Sequence, residues 1–267
     1  MSDKRSDRMR NILHYLWQHK KIETRQVVEL FGYAEASVRR DFQIIVDGYP
    51  GMVRCHGGIV FDKTTVDQEY IFDVKQSIQR VAKQDIAQVA RNMIKPDDCI
   101  LLDSGSTCLE LAKRLSDISA KVITTDVKIA NQLGCYNQLE SYIVGGMIRS
   151  GYFSVGESLA VDMLKLFSAD KTFMSCDALS LESGITNSTV FEVGVKKMLI
   201  QRGRQVVLLA DHSKFDQIKP HSVATLLSMS CIITDALLPE ETFQRYRQAG
   251  INIIRAGERG YDDGYYL

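Results

Sequence analysis

Several devices that often organise a chain are scarce here. The six cysteines, at 55, 99, 108, 135, 176 and 231, are scattered, form no C-x-x-C pair and sit beside no cluster of histidines. That excludes a disulfide framework and a zinc site as organising elements, and no metal or cofactor is expected. No apolar run approaches the ~20 residues a membrane span requires, and the opening MSDKRSDRMR lacks the apolar stretch of a secretory leader. A cytoplasmic location, reduced cysteines and no membrane partner are the expectation. There is no repeat, heptad or low-complexity tract. Charge of one sign is also missing, with 33 basic against 33 acidic residues, so a uniformly basic nucleic-acid surface is excluded.

What is present is enough apolar material, 45% of 267 residues, for one large or two modest domains with a buried core. The charge is uneven. Residues 1–60 hold ten Lys/Arg and seven Asp/Glu, net +3, and the remainder 23 against 26, net −3. Such an excess permits phosphate contacts without demanding them.

Three short helices fit residues 7–47. Met9, Ile12, Leu13 and Leu16 recur at helical spacing. Thr24 is placed to cap a second helix carrying Val27, Val28, Leu30 and Phe31, with Gly32 as its stop. A third, from about Glu35, buries Val38, Phe42 and Ile45. Helix, glycine-containing turn and helix in about twenty residues is helix-turn-helix spacing. The third helix turns Ala36, Ser37, Arg39, Arg40 and Gln43 outward. These groups suit a major groove: Arg donates twice to guanine, Gln pairs with adenine, and Ser or Ala meets a phosphate or a thymine methyl. A solvated helix face is the alternative. DGYPGMVRCHGGIVF then reads as a β-hairpin or wing that brings Arg54 and His56 to the sugar-phosphate backbone, with a plain turn as the alternative.

Residues 61–80 are polar and form the expected linker between a DNA-binding domain at 1–60 and a larger domain at 81–267. In the latter, strand-length apolar runs at 99–102, 121–125, 141–144, 171–175, 205–210, 231–234 and 251–255 alternate with helical stretches. The fold class is therefore α/β, a mainly parallel sheet covered by helices, behind a small N-terminal helical domain.

Ligands of such sheets bind beyond the C-terminal ends of the strands. Asp103-Ser104-Gly105-Ser106-Thr107 offers a glycine, hydroxyls and a helix start, the elements of an anion cradle, although a tight turn has the same composition. Asp103, Asp126 and Asp177 would accept bonds from sugar hydroxyls, and Lys214 would balance charge. Glu192 and Lys196 stand four apart on a helix, the spacing of a surface salt bridge. Asp211, His212 and Ser213 are sequence neighbours and do not make a catalytic triad.

TRQVVELFGYAEASVRRDF followed by VRCHGG, then LLDSGSTCLELAKRL, VGGMIRS, SLESGITNS, EVGVKKMLI and LLADHSKF, resemble in order and spacing the DeoR family of bacterial transcriptional regulators. The resemblance spans about residues 6–255. It implies a winged helix-turn-helix joined to an effector domain similar to ribose-5-phosphate isomerase. It further implies a homo-oligomer, dimer or tetramer, that binds double-stranded operator DNA and responds to a phosphorylated sugar. Ser37, Arg39, Arg40 and Gln43, with Arg54 and His56, become the expected DNA contacts. Asp103 to Thr107, Thr125, Asp126, Gly145, Gly146, Asp177 and Lys214 become the expected effector contacts. Ala34 stands where the family's reading helix usually has a Ser or Thr cap, and Asp126 where Asn is frequent; an extra carboxylate favours a polyol or amino group on the ligand. The leading function is a repressor of a sugar-catabolism operon. The alternative is a sugar-phosphate isomerase with a DNA-binding appendage, using Asp177 and Glu192 as its acid and base. Against it, GITNSTVFE has no lysine before Glu192, where the isomerases of that fold carry one.

Overall fold

The computed structural model describes residues 8–9, 11–13, 15–16, 19–48, 52–61, 76 and 78–257. Most of the expected linker, and Trp17, lie outside the described residues. By its contacts the chain divides into two units, Met1–Ile78 with Ser150–Tyr152 and Gln79–Arg149 with Phe153–Leu267.

In the first unit the helically spaced apolar residues converge. The residues described from 8 to 19 are helical and lead into β1 (Lys21–Glu23), α1 (Thr24–Phe31) and α2 (Glu35–Gly48), followed by the hairpin β2 (Met52–Cys55) and β3 (Gly58–Phe61). The strands pair antiparallel in the order β1-β3-β2. Ile12, Leu16, Ile22, Val27, Val38, Phe42, Ile45 and Ile59 are wholly buried in one cluster. At roughly 1.5–3 kcal/mol each, that burial outweighs the weak intrinsic stability of such short helices.

The start of α1 corrects the expectation for Thr24. Glu23 takes the cap position, its N–H donating to Gln26 Oε1 at 2.9 Å. Thr24 instead donates from its N–H and hydroxyl to the Gly57 carbonyl at 2.8 and 2.9 Å. The wing turn supplies an acceptor that the hydroxyl prefers, so the helix start and the hairpin are tied together. Gly32 closes α1 as expected, in the left-handed conformation. At the head of α2, Ser37 and Val38 N–H groups donate to the Ala34 carbonyl at 2.9 and 3.1 Å, and no hydroxyl cap is available from alanine. Asp41, 1% exposed, faces inward and is neutralised by Arg8.

The second unit is built on seven parallel strands: β4 (Cys99–Leu102), β5 (Ala120–Thr124), β6 (Leu139–Ile143), β9 (Ala169–Ser175), β12 (Gly203–Leu209), β14 (Cys231–Thr234) and β15 (Ile253–Arg255). Their order is β15-β14-β12-β9-β4-β5-β6. Helices α3 (Arg80–Asn92), α4 (Ser106–Ala112), α5 (Val127–Leu133), α6 (Glu157–Leu164), α7 (Val193–Arg202) and α8 (Glu240–Gln248) cover it. Val206, Leu208 and Ala210, alternate residues along β12 and just past it, join Phe243 and Tyr246 of α8 in one apolar cluster. Leu101 and Ile123 join Ala160, Leu164, Val195 and Leu199 of α6 and α7 in another. Two smaller elements complete the unit: the hairpin β7 (Met147–Ile148) with β8 (Val155–Gly156), and an antiparallel sheet of β10 (Ala178–Ser180), β11 (Gly184–Asn187) and β13 (His221–Ala224).

The strand order fixes where a ligand belongs. From β4 the chain winds outward through β5 to β6, then returns to the other side of β4 and winds the opposite way through β9, β12, β14 and β15. The winding direction therefore reverses between β4 and β9, and the carboxyl ends beside such a reversal are where open α/β sheets place a ligand crevice.

Candidate functional site

In the first unit, Ala36, Arg39, Arg40 and Gln43 of α2 are exposed and Ser37 is half-buried. The arginines differ in their surroundings. Arg39 is held by Glu35 one turn earlier, through bonds of 3.0 and 2.6 Å, while Arg40 pairs with no described residue. Such an exposed i,i+4 pair contributes only ~0.3–0.5 kcal/mol, so Arg39 can leave it for a base. Gln43 Nε2 donates to Asp47 at 2.8 Å. Arg54 of β2 is exposed and reaches across to α2. Its Nη2 donates to the Arg39 carbonyl at 3.0 Å and to Gln43 Oε1 at 3.2 Å, and its guanidinium lies 5.7 Å from the centre of the Phe42 ring. His56 is exposed in the wing turn. A cleft of about 430 Å³ runs beside these groups, lined among others by Thr24, Arg25, Arg39, Arg54 and Gly57.

In the second unit the carboxyl ends of β4 and β9 are surrounded by polar, buried side chains. Asp103, just past β4, is 1% exposed and is bonded by Lys196 Nζ from α7 and by the Ser175 N–H at 3.0 Å. Lys196 also donates to the Ser175 carbonyl at 2.9 Å. Burial alone would lower the lysine's pKa, but the charges of Asp103 and Glu192 and the bond to Asp103 hold it above the usual lysine value. Ser175 Oγ donates to the Ser104 carbonyl at 2.8 Å.

Gly105 follows with φ +110°, a conformation that side chains rarely adopt, and a Cβ there would lie 3.0 Å from Ser175 Oγ. This glycine is what lets the loop pass close to β9. Its N–H donates to Asp126 Oδ2 at 3.4 Å, and Asp126 also caps α5 by accepting from Ile129 N–H at 3.0 Å. Burial pushes the Asp126 carboxyl up to about 6, against these backbone donors.

Beyond Asp126 the wall continues through the β7–β8 hairpin, where Asp126 bridges Ser154. Ser154 Oγ donates to Glu192 Oε1 at 2.6 Å, Arg149 Nη1 to the same oxygen at 3.2 Å, and Asn187 Nδ2 to Oε2 at 3.2 Å. Thr125 Oγ1, Asn187 Oδ1 and Thr189 Oγ1 are buried without a hydrogen-bond partner. Unspent polar atoms of this kind are costly in an interior and fit a hydroxyl-rich ligand.

A profile of the DeoR C-terminal sensor domain matches residues 78–236, and one of the DeoR-like helix-turn-helix domain matches 8–65. The chain belongs to the DeoR family. It is a DNA-binding transcriptional regulator, and among its described residues no helix is long and apolar enough to cross a membrane. It is 62% identical over 254 residues to a candidate sgc region transcriptional regulator of Escherichia coli K12, covering 95% of this chain and 98% of that one. It is 29% identical over 239 residues to the HTH-type transcriptional repressor GlcR of Bacillus subtilis, covering 89% and 90%. Among solved structures, ribose 5-phosphate isomerase A of Methanocaldococcus jannaschii aligns with TM-score 0.39 and 16% identity over 51% of this chain and 55% of that one.

The DeoR-family chain brings only some of the expected effector residues together. Asp103, Ser104, Gly105 and Asp126 adjoin through the bonds just described, and Ser106 and Thr107 open α4. Gly145 spends its N–H on Met163 Sδ at 3.1 Å, and Gly146 is packed so that a Cβ would meet the Gly156 carbonyl at 2.8 Å. Both glycines therefore serve a close approach to the β7–β8 hairpin and α6. Asp177 accepts from Ser188 N–H at 2.9 Å. Lys214 acts on Asp211, whose burial would raise its carboxyl but which Lys214, Ser213 and Lys83 hold below the usual value.

The surface salt bridge expected between Glu192 and Lys196 is a correction. Both are buried, at 8% and 1% exposure, and Lys196 pairs with Asp103 across the crevice. Helical spacing puts two side chains on one face but does not say whether that face meets water. Arg149, Ser154, Asn187 and Lys196 were not legible as site residues. Lys196 alone left a signal, a lysine among the apolar positions of a helix that packs on the sheet.

Proposed function

We propose that this protein represses a sugar-catabolism operon and is released from its operator when a phosphorylated sugar occupies the crevice between β4 and β9. Residues 1–60 read the DNA through α2, 61–80 are the linker, and 81–267 sense the ligand and assemble a dimer or tetramer. The observation that carries the reading is the buried Asp103–Lys196–Ser175 network at the reversal of strand winding, beside Gly105. A sugar's hydroxyls complete the unpartnered Thr125, Asn187 and Thr189 atoms. Its phosphate lies against the Gly105–Thr107 loop, with Lys214 contributing charge. The GlcR relative, a repressor, supports the sign.

An isomerase needs an acid and a base facing one substrate. Asp177 is bonded to a backbone N–H and Glu192 is engaged by three donors, so neither is held as half of such a couple. The test is a thermal-shift screen of pentose and hexose phosphates followed by retention of promoter fragments. A compound that stabilises the sensor unit and weakens retention supports the proposal. Turnover of any of these compounds would displace it.

A further inference from the structure

We propose that Arg54 is a specificity-determining positioning residue. By holding the amide oxygen of Gln43, it makes Gln43 read an acceptor edge, guanine or thymine, in preference to adenine. The inference rests on α2 being the reading helix.

A glutamine pairs with adenine by using both ends of its amide, the oxygen accepting from N6 and the nitrogen donating to N7. In this protein neither end is at rest. Oε1 accepts from Arg54 Nη2 at 3.2 Å, and Nε2 donates to Asp47 Oδ1 at 2.8 Å. A guanidinium on the oxygen places positive charge where adenine's amino group would have to donate, so that approach meets a competing donor. The second amide N–H is left to donate to O6 or N7 of guanine or to O4 of thymine; adenine offers N7 as well, but its N6 amino group would then face the guanidinium without an acceptor.

Arg54 is itself held in place. The same Nη2 reaches the Arg39 carbonyl of α2 at 3.0 Å, and its guanidinium lies over Phe42, a fully buried core residue. The wing hairpin that carries it is tied to α1 through the paired Thr24–Gly57 bonds. When DNA excludes water from this face, the Arg54–Gln43 bond strengthens, because the competing solvent is gone.

The experiment is selection from a random-sequence duplex pool by the full-length protein, comparing wild type with Q43A, R54M and R54K. R54M keeps an unbranched apolar stem over Phe42 and removes the donors; R54K keeps the charge without the fork. The position whose preference vanishes in Q43A is the one Gln43 reads. There, wild type is expected to select guanine or thymine. R54M is expected to shift that position toward adenine by on the order of tenfold, with flanking positions intact. R54K is expected to fall between them, and it carries the test if R54M fails to fold. Adenine selected there by wild type would overturn the proposal, as would no position responding to Q43A. So would variants that lose affinity equally for all sequences, with a salt slope smaller by about one, because that marks a phosphate contact. Loss of all enrichment in R39A/R40A, with Q43A still selecting, establishes α2 as the reading helix separately from the role of Arg54.

Discussion

Lys196→Met removes one charge from the most enclosed ion pair among the described residues of the sensor unit. Lys196 and Asp103 are each 1% exposed, so neither partner can turn to solvent when the other is lost. Without the lysine, Asp103 keeps the Ser175 N–H at 3.0 Å and a long contact to Ser175 Oγ at 3.5 Å, and the Ser175 carbonyl loses its donor. An uncompensated buried charge of this kind costs about 3–5 kcal/mol. Against a total stability of ~5–15 kcal/mol, that is a large fraction of what holds the unit folded.

The assay is calorimetric and urea unfolding at pH 7, with Trp17, the single tryptophan, reporting the N-terminal unit. The sensor transition is expected to fall steeply while the tryptophan transition stays in place. The double variant D103N/K196M is expected to recover part of the loss, because it leaves no unpaired charge. A cost for K196M below about 1 kcal/mol, the size of an exposed pair, would refute the claim that this lysine neutralises a buried acid.

Asp126 gives the pH dependence. Its carboxyl titrates at about 6 in the folded protein against an ordinary 3.8, so the folded state binds the proton more tightly and stability from this site falls as pH rises from about 4 through 6. The difference amounts to roughly 2–3 kcal/mol, and unfolding at pH 4.5 and 7.5 should show Asp126→Asn gaining on wild type by that order at the higher pH; an equal effect at both would contradict it. Gly105→Ala forces a side chain into a conformation reserved for glycine and is expected to cost about 1–3 kcal/mol, together with effector-induced thermal stabilisation; unchanged melting and unchanged response would be contrary. Replacing Arg39 and Arg40 with Ala is expected to remove sequence-specific retention, at ~1–3 kcal/mol per lost base contact; specific binding that survives would mean α2 does not read bases.

The sequence carried the framework where periodicity matched burial. All seven strands of the parallel sheet overlap the expected runs; β4, β5, β12 and β14 are largely buried and read as near-continuous hydrophobic segments, whereas β6, at the sheet edge, is largely exposed. Val38, Phe42 and Ile45 are wholly buried, as helical spacing required. The elements that escaped are those whose apolar content is small. Helix α3 buries Ala82, Ala87 and Ala90 with Ile86, and alanines leave little periodic signal. The β7–β8 hairpin has two residues per strand.

At the site, the Gly105 loop and Asp126 were legible because strand ends and glycine positions are local features. The partnership of Lys196 with Asp103 spans ninety-three positions and depends on how α7 lies across β9. Arg54 shows the same limit at the other site. Its presence in the wing was readable, and its turn back onto Gln43 was not, since that depends on the hairpin's approach to α2.

The central claim is that filling the β4–β9 crevice weakens DNA binding. Its most direct measurement is the operator affinity of the full-length protein, titrated with each phosphorylated sugar that raises the melting temperature of the sensor unit. The stabilising compound is expected to weaken operator binding by roughly 5- to 150-fold, the span of ordinary allosteric coupling, and K196M is expected to abolish the response. A compound that demonstrably fills the crevice while operator affinity stays the same would contradict it.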